Sequence, residues 1–278
     1  MIRLAGRARA LGVAPIVAAC FLTDARPTFA EALEACVARS ASELVLLPYA
    51  LSTSRSARGE LERLRGAARA LHPQLRVSVA QGLNDHPAVA KVLLQRASEA
   101  DYVAAHPFLS EHVGHREDVG EAWRPLYLRY PVRAGVETQR DVWQPMYASH
   151  LTALLLCGAA GTGLEADRAL TTVALQVRRE RCYTEVQACT IGRDQPGVSG
   201  ALAQLRLQGI RHAIAVPYAL HRADPIVGAL AAEAAAAREL HSDMTLLVAE
   251  DLGYDRRLVE AIADRVAEAG PLLARASG

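Results

Sequence analysis

An internal repeat constrains the fold of this chain more than any other feature of its sequence. Adding 169 to a position in the first part of the chain lands, without a gap, on a matching residue in the second part. In this way Pro48-Tyr49-Ala50-Leu51 falls on Pro217-Tyr218-Ala219-Leu220. Further matches pair Cys20 with Cys189, Pro27 with Pro196, Leu83 with Leu252, Arg96 with Arg265 and Glu99 with Glu268. A constant offset over about eighty residues indicates a duplicated domain.

Within each repeat, short apolar runs alternate with amphipathic segments, which predicts βαβ units and a parallel sheet. The fold class is therefore α/β. In the first repeat we expect strands at 17–22, 43–51 and 76–80, and helices at 29–39, 59–71 and 87–100. In the second repeat we expect strands at 184–191, 213–220 and 245–249, and helices at 198–207, 226–240 and 257–269.

The second repeat opens with elements that the first one lacks. A strand at 151–157, a glycine loop at 158–163 and a helix from 164 to about 181 precede its first matched strand. In the register of the repeat Met1 corresponds to Leu170, so the chain is expected to begin inside a helix. The opening strand and loop of the first repeat then either lie upstream of Met1 or have been lost from this copy. We predict a first lobe at 1–103, a connector at 104–150 and a second lobe at 151–278.

The composition narrows the class of partner. The chain has 31 basic and 30 acidic residues and no long basic run, so it lacks the electrostatic footprint of a nucleic-acid-binding protein. No apolar run approaches the ~18 residues that a membrane-spanning helix needs. Five cysteines without a CxxC pair are typical of a reducing compartment. We therefore expect a cytoplasmic protein whose partner is neither nucleic acid nor a membrane.

The amino-terminal segment has a competing interpretation. The apolar run 11–22 follows several arginines and is similar to a short signal peptide. Cys20 has an internal counterpart in Cys189, where no signal would be expected. The repeat therefore favours a buried strand over a signal peptide.

The candidate binding residues follow the paired strand ends. Open α/β sheets bind ligands at the carboxyl ends of their strands, where Tyr49 and Tyr218 stand. Each tyrosine is equally well explained as a packed aromatic side chain. The segments after them carry the candidate arginines for a polyanionic ligand, because guanidinium groups bind carboxylates in a forked geometry. These arginines, which are alternatively plain surface residues, are Arg55, Arg58 and Arg222.

Several other residues have weaker functional interpretations. His72 and His241 occupy equivalent helix ends and are interpreted as structural residues that satisfy the last carbonyls. The connector histidines form a weak metal motif, with a solvated loop as the alternative; they are His106, His112 and His115. The glycine loop 158–163 lies where anions often bind, but it matches no nucleotide-binding motif and favours a tight turn.

Several motifs together resemble a known family. In the first repeat they are the segments 25–33, 43–51 and 83–100. In the second repeat they are Gln195-Pro196, Val216-Pro217-Tyr218 and the segment 252–255. These motifs resemble the CbiX/SirB chelatases, the class II chelatases. The resemblance implies two tandem lobes with parallel sheets and a ligand cleft between them. It also implies insertion of Co²⁺ or Fe²⁺ into a sirohydrochlorin-type tetrapyrrole in cobalamin or siroheme biosynthesis, with the metal as substrate and no tightly bound cofactor.

The resemblance also implies where catalytic histidines should stand. The family has one histidine in a Gly-His-Gly loop after the first strand and another a few residues after the Pro-Tyr segment. The matching positions hold Ala159 in the loop, and Ser56 and Pro225 in the two repeats. His221 lies four positions before Pro225 and so does not match the family's histidine, but it is the nearby candidate for a replacement base and metal ligand.

Two hypotheses stay open. One is a chelatase that uses such a replacement ligand, or a histidine supplied upstream of Met1. The other is a non-catalytic member that binds a tetrapyrrole, a metal or a partner protein without turnover.

Overall fold

The computed structural model describes residues 2–22, 25–52, 54–105, 152–159, 164–192 and 197–275. The chain forms two compact units, each built from more than one stretch of sequence. Unit 1 comprises Met1–Val92, Gly161–Val173 and Gly253–Gly278, and unit 2 comprises Leu93–Ala160 and Ala174–Leu252. The connector positions 106–150 and the loop positions 160–163 lie outside the described residues.

Unit 2 is organised around a four-stranded parallel sheet. Its strands are β3 (Thr152–Ala159), β4 (Glu185–Ile191), β5 (His212–Pro217) and β6 (Thr245–Val248), in the order β4-β3-β5-β6. The parallel arrangement agrees with the alternation of apolar and amphipathic segments in the sequence. The carboxyl ends of all four strands therefore lie at one edge of this sheet.

Both faces of this sheet are buried, as expected for a parallel sheet covered by helices. One face packs against α6 (Val198–Leu207) and α7 (Pro225–Leu240), and it carries Ala153, Leu155 and Cys157. Leu154 and Leu156 point to the opposite face, and both are fully buried. This burial on both faces explains why β3 is a continuous apolar run in the sequence.

Unit 1 contains a smaller sheet. Strands β1 (Glu43–Leu46) and β2 (Arg76–Val79) pair in parallel. The expected strand at 17–22 is wrong, because in this segment the described backbone forms only an isolated bridge from Phe21 to Thr28. In unit 2 the equivalent strand, β4, pairs with β3. Among the described residues of unit 1, no strand occupies the place that β3 has in unit 2, so 17–22 lacks the neighbour that would make it a strand.

The helices follow the repeat closely. In the register of the repeat, helix α1 (Ile2–Ala10) falls on the last part of α5 (Leu164–Arg179). Helix α2 (Phe29–Val37) matches α6, and α3 (Arg55–Leu71) matches α7. A capping box between Thr28 and Glu31 fixes the start of α2, while Asp224 caps α7. The last helix of each repeat, α4 (Pro87–Ala105) or α8 (Arg256–Arg275), is longer than predicted.

The last helix of each repeat belongs largely to the unit built from the other repeat. Helix α8 is part of unit 1, where it packs on β1 and β2, and α4 is part of unit 2 from Leu93 onward. In unit 2, Nε of Arg96 donates to the carbonyl of Asp251 at 2.9 Å. In unit 1, Nε of Arg265 donates to the carbonyl of Gly82 at 3.1 Å. Gly82 and Asp251 occupy equivalent positions of the two repeats, as Arg96 and Arg265 do. The same arginine-to-carbonyl contact is therefore made once in each unit.

Candidate functional site

In unit 2 the candidate site is built at the carboxyl edge of the sheet. Ala159 is the last residue of β3, is exposed, and lies opposite Ile191 of β4. Two residues earlier, Cys157 lies between Cys189 on one side and Pro217 on the other. The backbone N–H of Tyr218 donates to the carbonyl of Cys157 at 2.8 Å, which holds the Pro-Tyr segment beside β3.

His221 and Arg222 lie in the turn that leads from this edge into α7. The backbone N–H of Asp224 donates to the carbonyl of His221 at 3.0 Å and closes the turn. The carboxylate of Asp224 then accepts from the N–H of Ile226 at 3.1 Å and starts the helix. The side chains of His221 and Arg222 are both exposed. The turn is therefore fixed by its backbone, and both side chains are accessible to a ligand.

Unit 1 has the equivalent residues after β1. Arg55 and Arg58 lie on the first turn of α3, whereas the sequence predicted a loop up to Gly59. The reason is Ser54, whose hydroxyl accepts from the N–H of Ala57 at 3.1 Å and starts the helix earlier. Both arginines are exposed on this turn.

The two tyrosines have different surroundings. Tyr49 packs against the hydrophobic cluster of unit 1 that includes Leu4 of α1 and Val259 of α8. Tyr218 is half-buried beside β3 in unit 2. The contacts of Tyr49 thus fit the alternative interpretation, in which it is a packed aromatic side chain. The role of either tyrosine in substrate binding stays a prediction.

The positions where the family's histidines were expected are now placed in the structure. Ser56 and Pro225 occupy the first turns of α3 and α7, and both are exposed. Ala159 ends β3 on the face that packs against α6 and α7. Alanine, serine and proline side chains cannot accept a proton near neutral pH, so none of them replaces a histidine base.

The structure also brings together a thiol pair that sequence reasoning missed. Cys157 and Cys189 are opposite each other in the β3–β4 register, and both are buried. The interaction between the two thiols raises the pKa of Cys157 and lowers the pKa of Cys189, while burial raises the pKa of both. In the structure the Cys157 thiol donates to the carbonyl of Leu155 at 3.6 Å. The nearby Glu233 carboxylate accepts from the N–H of Val198 at 2.8 Å. Only the strand register could have revealed this pair.

His72 and His241 are structural, but not in the way predicted. His72 Nε2 lies 2.9 Å from a carboxylate oxygen of Glu34 on α2. His241 Nε2 lies 3.0 Å from the hydroxyl of Ser199 on α6. Each ring therefore ties the end of its helix to the neighbouring helix, and the backbone N–H groups make the capping bonds instead.

Metal-ligand clusters are not formed in the described ranges. Within 2–22, 25–52, 54–105, 152–159, 164–192 and 197–275, no group of three or more His, Cys, Asp or Glu residues is placed to hold a metal ion. The connector histidines His106, His112 and His115 lie outside these residues. Across the same residues, no helix combines the length and apolarity needed to cross a membrane.

Solved structures show the same fold at low sequence identity. SirB from Bacillus subtilis with Fe³⁺ has a TM-score of 0.70 and 17% identity, over 97% of this chain and 88% of that one. The sirohydrochlorin chelatase SirB from Bacillus subtilis subspecies spizizenii in complex with cobalt has a TM-score of 0.61 and 16% identity, over 97% and 89%. DR2241 from Deinococcus radiodurans, a multi-domain protein with structural similarity to chelatases, has a TM-score of 0.61 and 17% identity, over 96% of this chain and 50% of that one.

Sequence comparison gives the family. No curated protein sequence matches the chain. The CbiX family profile, however, matches residues 1–100 and 154–269, which together make up more than three quarters of the sequence. The two matched segments correspond to the two repeats and leave out the connector. The chain belongs to the CbiX family.

Proposed function

We propose that the protein is a chelatase that inserts Co²⁺ or Fe²⁺ into a sirohydrochlorin-type tetrapyrrole. The observation that carries this proposal is the match of both repeats to the CbiX family. The fold agrees with it, since the similar SirB structures hold Fe³⁺ or cobalt. The metal is a substrate in this proposal, and the protein needs no tightly bound cofactor.

The accessible side chains at the strand ends fit the chemistry of such a substrate. Tetrapyrroles of this type carry several carboxylates, which Arg55, Arg58 and Arg222 would bind through charge-assisted hydrogen bonds. Tyr49 and Tyr218 would offer aromatic surface beside the macrocycle. A cytoplasmic location and the absence of nucleic-acid partners belong to the same proposal.

His221 is the residue proposed to act on the reacting atoms. Metal insertion removes two pyrrole N–H protons while a divalent cation approaches the ring nitrogens. A neutral imidazole can accept one of these protons or bind the metal. His221 is exposed at the carboxyl edge of the unit 2 sheet, where the candidate site lies. Its backbone is held by the turn into α7, so the imidazole has a defined range of positions.

A second function is favoured by the residues at Ala159, Ser56 and Pro225. Without the histidines expected there, the protein would bind a tetrapyrrole, a metal or a partner protein without turnover. The arginines and the fold would be retained in that case, because binding a carboxylated macrocycle needs neither base nor metal ligand.

An anaerobic insertion assay separates the two functions. The protein is mixed with an excess of sirohydrochlorin and Co²⁺ or Fe²⁺, and insertion is followed by absorbance. For the chelatase we expect many equivalents of product and a loss of at least tenfold in rate on His221→Ala, since general bases contribute about 10²-fold or more. The control is His212→Ala, which changes an exposed histidine at the start of β5, at the opposite edge of the sheet. Saturable tetrapyrrole binding without product above background would establish the second function instead.

A further inference from the structure

Two opposed thiols lie directly below the candidate site. Cys157 of β3 and Cys189 of β4 are Cα partners in the parallel ladder, and their side chains share the face covered by α6 and α7. Neighbouring strands are about 4.8 Å apart, which falls within the Cα separation that disulfides span. All five cysteines lie in the described residues, and none of them is in a disulfide. The two thiols are therefore both free, at directly opposed positions of the ladder.

We propose that Cys157 and Cys189 are a modification site, at which a hydroperoxide oxidises the two thiols to a reversible disulfide between β3 and β4. This inference goes beyond the proposed function and does not depend on it. It rests on the strand register and on the shared face of the two side chains.

The electrostatics of the pair assign a role to each sulfur. The interaction with the Cys157 thiol lowers the pKa of Cys189, so Cys189 is the better nucleophile. The interaction with Cys189 and burial raise the pKa of Cys157, which stays protonated. Burial and the Glu233 carboxylate oppose the first of these effects, because both raise the pKa of Cys189. A thiol of lower pKa beside a protonated thiol is the arrangement that lets a dithiol form and exchange disulfides.

The chemistry balances in two steps. The Cys189 thiolate attacks the peroxide, the O–O bond breaks, and Cys189 becomes a sulfenic acid while hydroxide takes up a proton and leaves as water. The Cys157 thiol then attacks that sulfur, the S–O bond breaks, and a second water leaves. Overall, two thiols lose two electrons and two protons to one peroxide. A small thiol reductant reverses the change by exchange.

The position in the sheet permits the closer approach that an S–S bond needs. In the order β4-β3-β5-β6, β4 lies at the edge and has only β3 as a strand neighbour among the described residues. An edge strand adjusts with less disruption than a central one, because no second ladder holds it. Cys189 retains 4% exposure, so a water-sized oxidant needs only a small opening to reach it.

Thiol counting on the intact, folded protein tests the proposal. The reduced protein is treated with hydrogen peroxide, quenched, unfolded and alkylated with a maleimide, and its mass is measured. We expect two of the five thiols to be lost together, and digestion to give one linked pair of peptides containing Cys157 and Cys189. Treatment with dithiothreitol should restore all five thiols. Reduction before alkylation is therefore the internal check for a disulfide.

Matched variants identify the partners. Cys182→Ser removes another buried thiol of unit 2 and should still lose two thiols, whereas Cys157→Ser and Cys189→Ser should form no such link. The competing pair is Cys20 and Cys36, which interact electrostatically in unit 1. The proposal is wrong if the linked peptides contain that pair. It is also wrong if all five thiols of the wild-type protein survive peroxide, or if Cys189 ends as a sulfinic acid without a link.

Discussion

Two arginines at equivalent positions of the repeats make similar bonds in different surroundings. Arg96 is fully buried and pairs with Glu99, whose side chain is 7% exposed. Arg265 pairs with Glu268 and Asp85, which are 56% and 49% exposed. Removing one partner of a buried ion pair leaves an uncompensated charge, whereas exposed carboxylates are resolvated by water. The two residues therefore provide a comparison in which the chemistry is matched and the burial differs.

We predict that Arg96→Leu destabilises the protein more than Arg265→Leu. The first change leaves the buried Glu99 carboxylate and two backbone carbonyls without the guanidinium group that binds them, at a cost of about 3 to 5 kcal/mol. The second removes the partner of two exposed carboxylates, which water can reach, and of one buried carbonyl, that of Gly82, at a cost of about 1 to 3 kcal/mol. Urea unfolding midpoints, with the slope of each transition compared, measure the difference. Equal losses would mean that the burial of Glu99 does not decide the cost.

The proposed ligand arginines give a second prediction at this scale. Reversing both charges in Arg55→Glu with Arg222→Glu should weaken sirohydrochlorin binding by more than tenfold, since it replaces attraction to substrate carboxylates by repulsion. Titration of intrinsic fluorescence, or equilibrium dialysis, measures the affinity. The control is Arg39→Glu with Arg179→Glu, which makes the same change in net charge at two other exposed positions. If both double variants bind equally well, Arg55 and Arg222 are not part of the site.

Among the elements, α2 and α6 occupy equivalent places but begin in different ways. Helix α2 has its own capping box between Thr28 and Glu31. The N-cap residue of α6 is Gly197, which has no side chain to accept a hydrogen bond from the first turn. The carboxylate of Glu233 on α7 accepts from the N–H of Val198 instead. A Cβ at position 197 would lie 1.7 Å from a carboxylate oxygen of Glu233. Gly197 therefore provides the space through which α7 caps α6.

We predict that Gly197→Ala destabilises the wild-type protein more than it destabilises the Glu233→Ala variant. The difference comes from displacing Glu233 and losing the cap, at about 1 kcal/mol. Once Glu233 is removed, nothing is displaced and the two changes become strongly non-additive. A double-mutant cycle in urea measures this coupling. Additive effects would show that Glu233 moves aside without losing its bond to Val198.

The elements show how far the sequence alone determines the fold. The helix 198–207 was predicted to the residue, and the other helices were predicted with ends that differ by one or more residues, because apolar periodicity specifies a helix better than its ends. The segment 17–22 has the same apolar character as a strand but forms none, since strand formation also depends on a neighbouring strand. The early start of α3 depends on a single serine cap, which the apolar pattern does not record.

For the molecule as a whole, the alternation of segments within each repeat predicted the α/β architecture and the motif resemblance predicted the family, but neither predicted which helix joins which unit. The register equates Arg96 with Arg265, yet it cannot show that each bonds to a carbonyl preceding the last helix of the other repeat. The candidate site shows the same limit. Sequence placed Ala159, Tyr218 and His221 near strand ends, whereas the opposition of Cys157 and Cys189 follows only from the three-dimensional register. Local pattern predicts elements, and contacts distant in sequence require the structure.

The rate of metal insertion is a property of the whole molecule, and we expect a single substitution at Ala159 to change it. Ala159 ends β3 at the edge where His221 also lies, and it is exposed enough to accept a larger side chain. We predict that Ala159→His raises the rate of Co²⁺ insertion into sirohydrochlorin by at least tenfold, because a positioned general base contributes about 10² to 10⁴. Initial rates under anaerobic conditions, at saturating tetrapyrrole, measure the gain.

The control is Ala159→Gln, which has a polar side chain of comparable reach but accepts no proton near neutral pH. A gain shared by both variants would point to packing or substrate affinity as the cause. No gain with histidine, in a wild-type protein that turns over well and loses this activity on His221→Ala, would mean that His221 already performs the role.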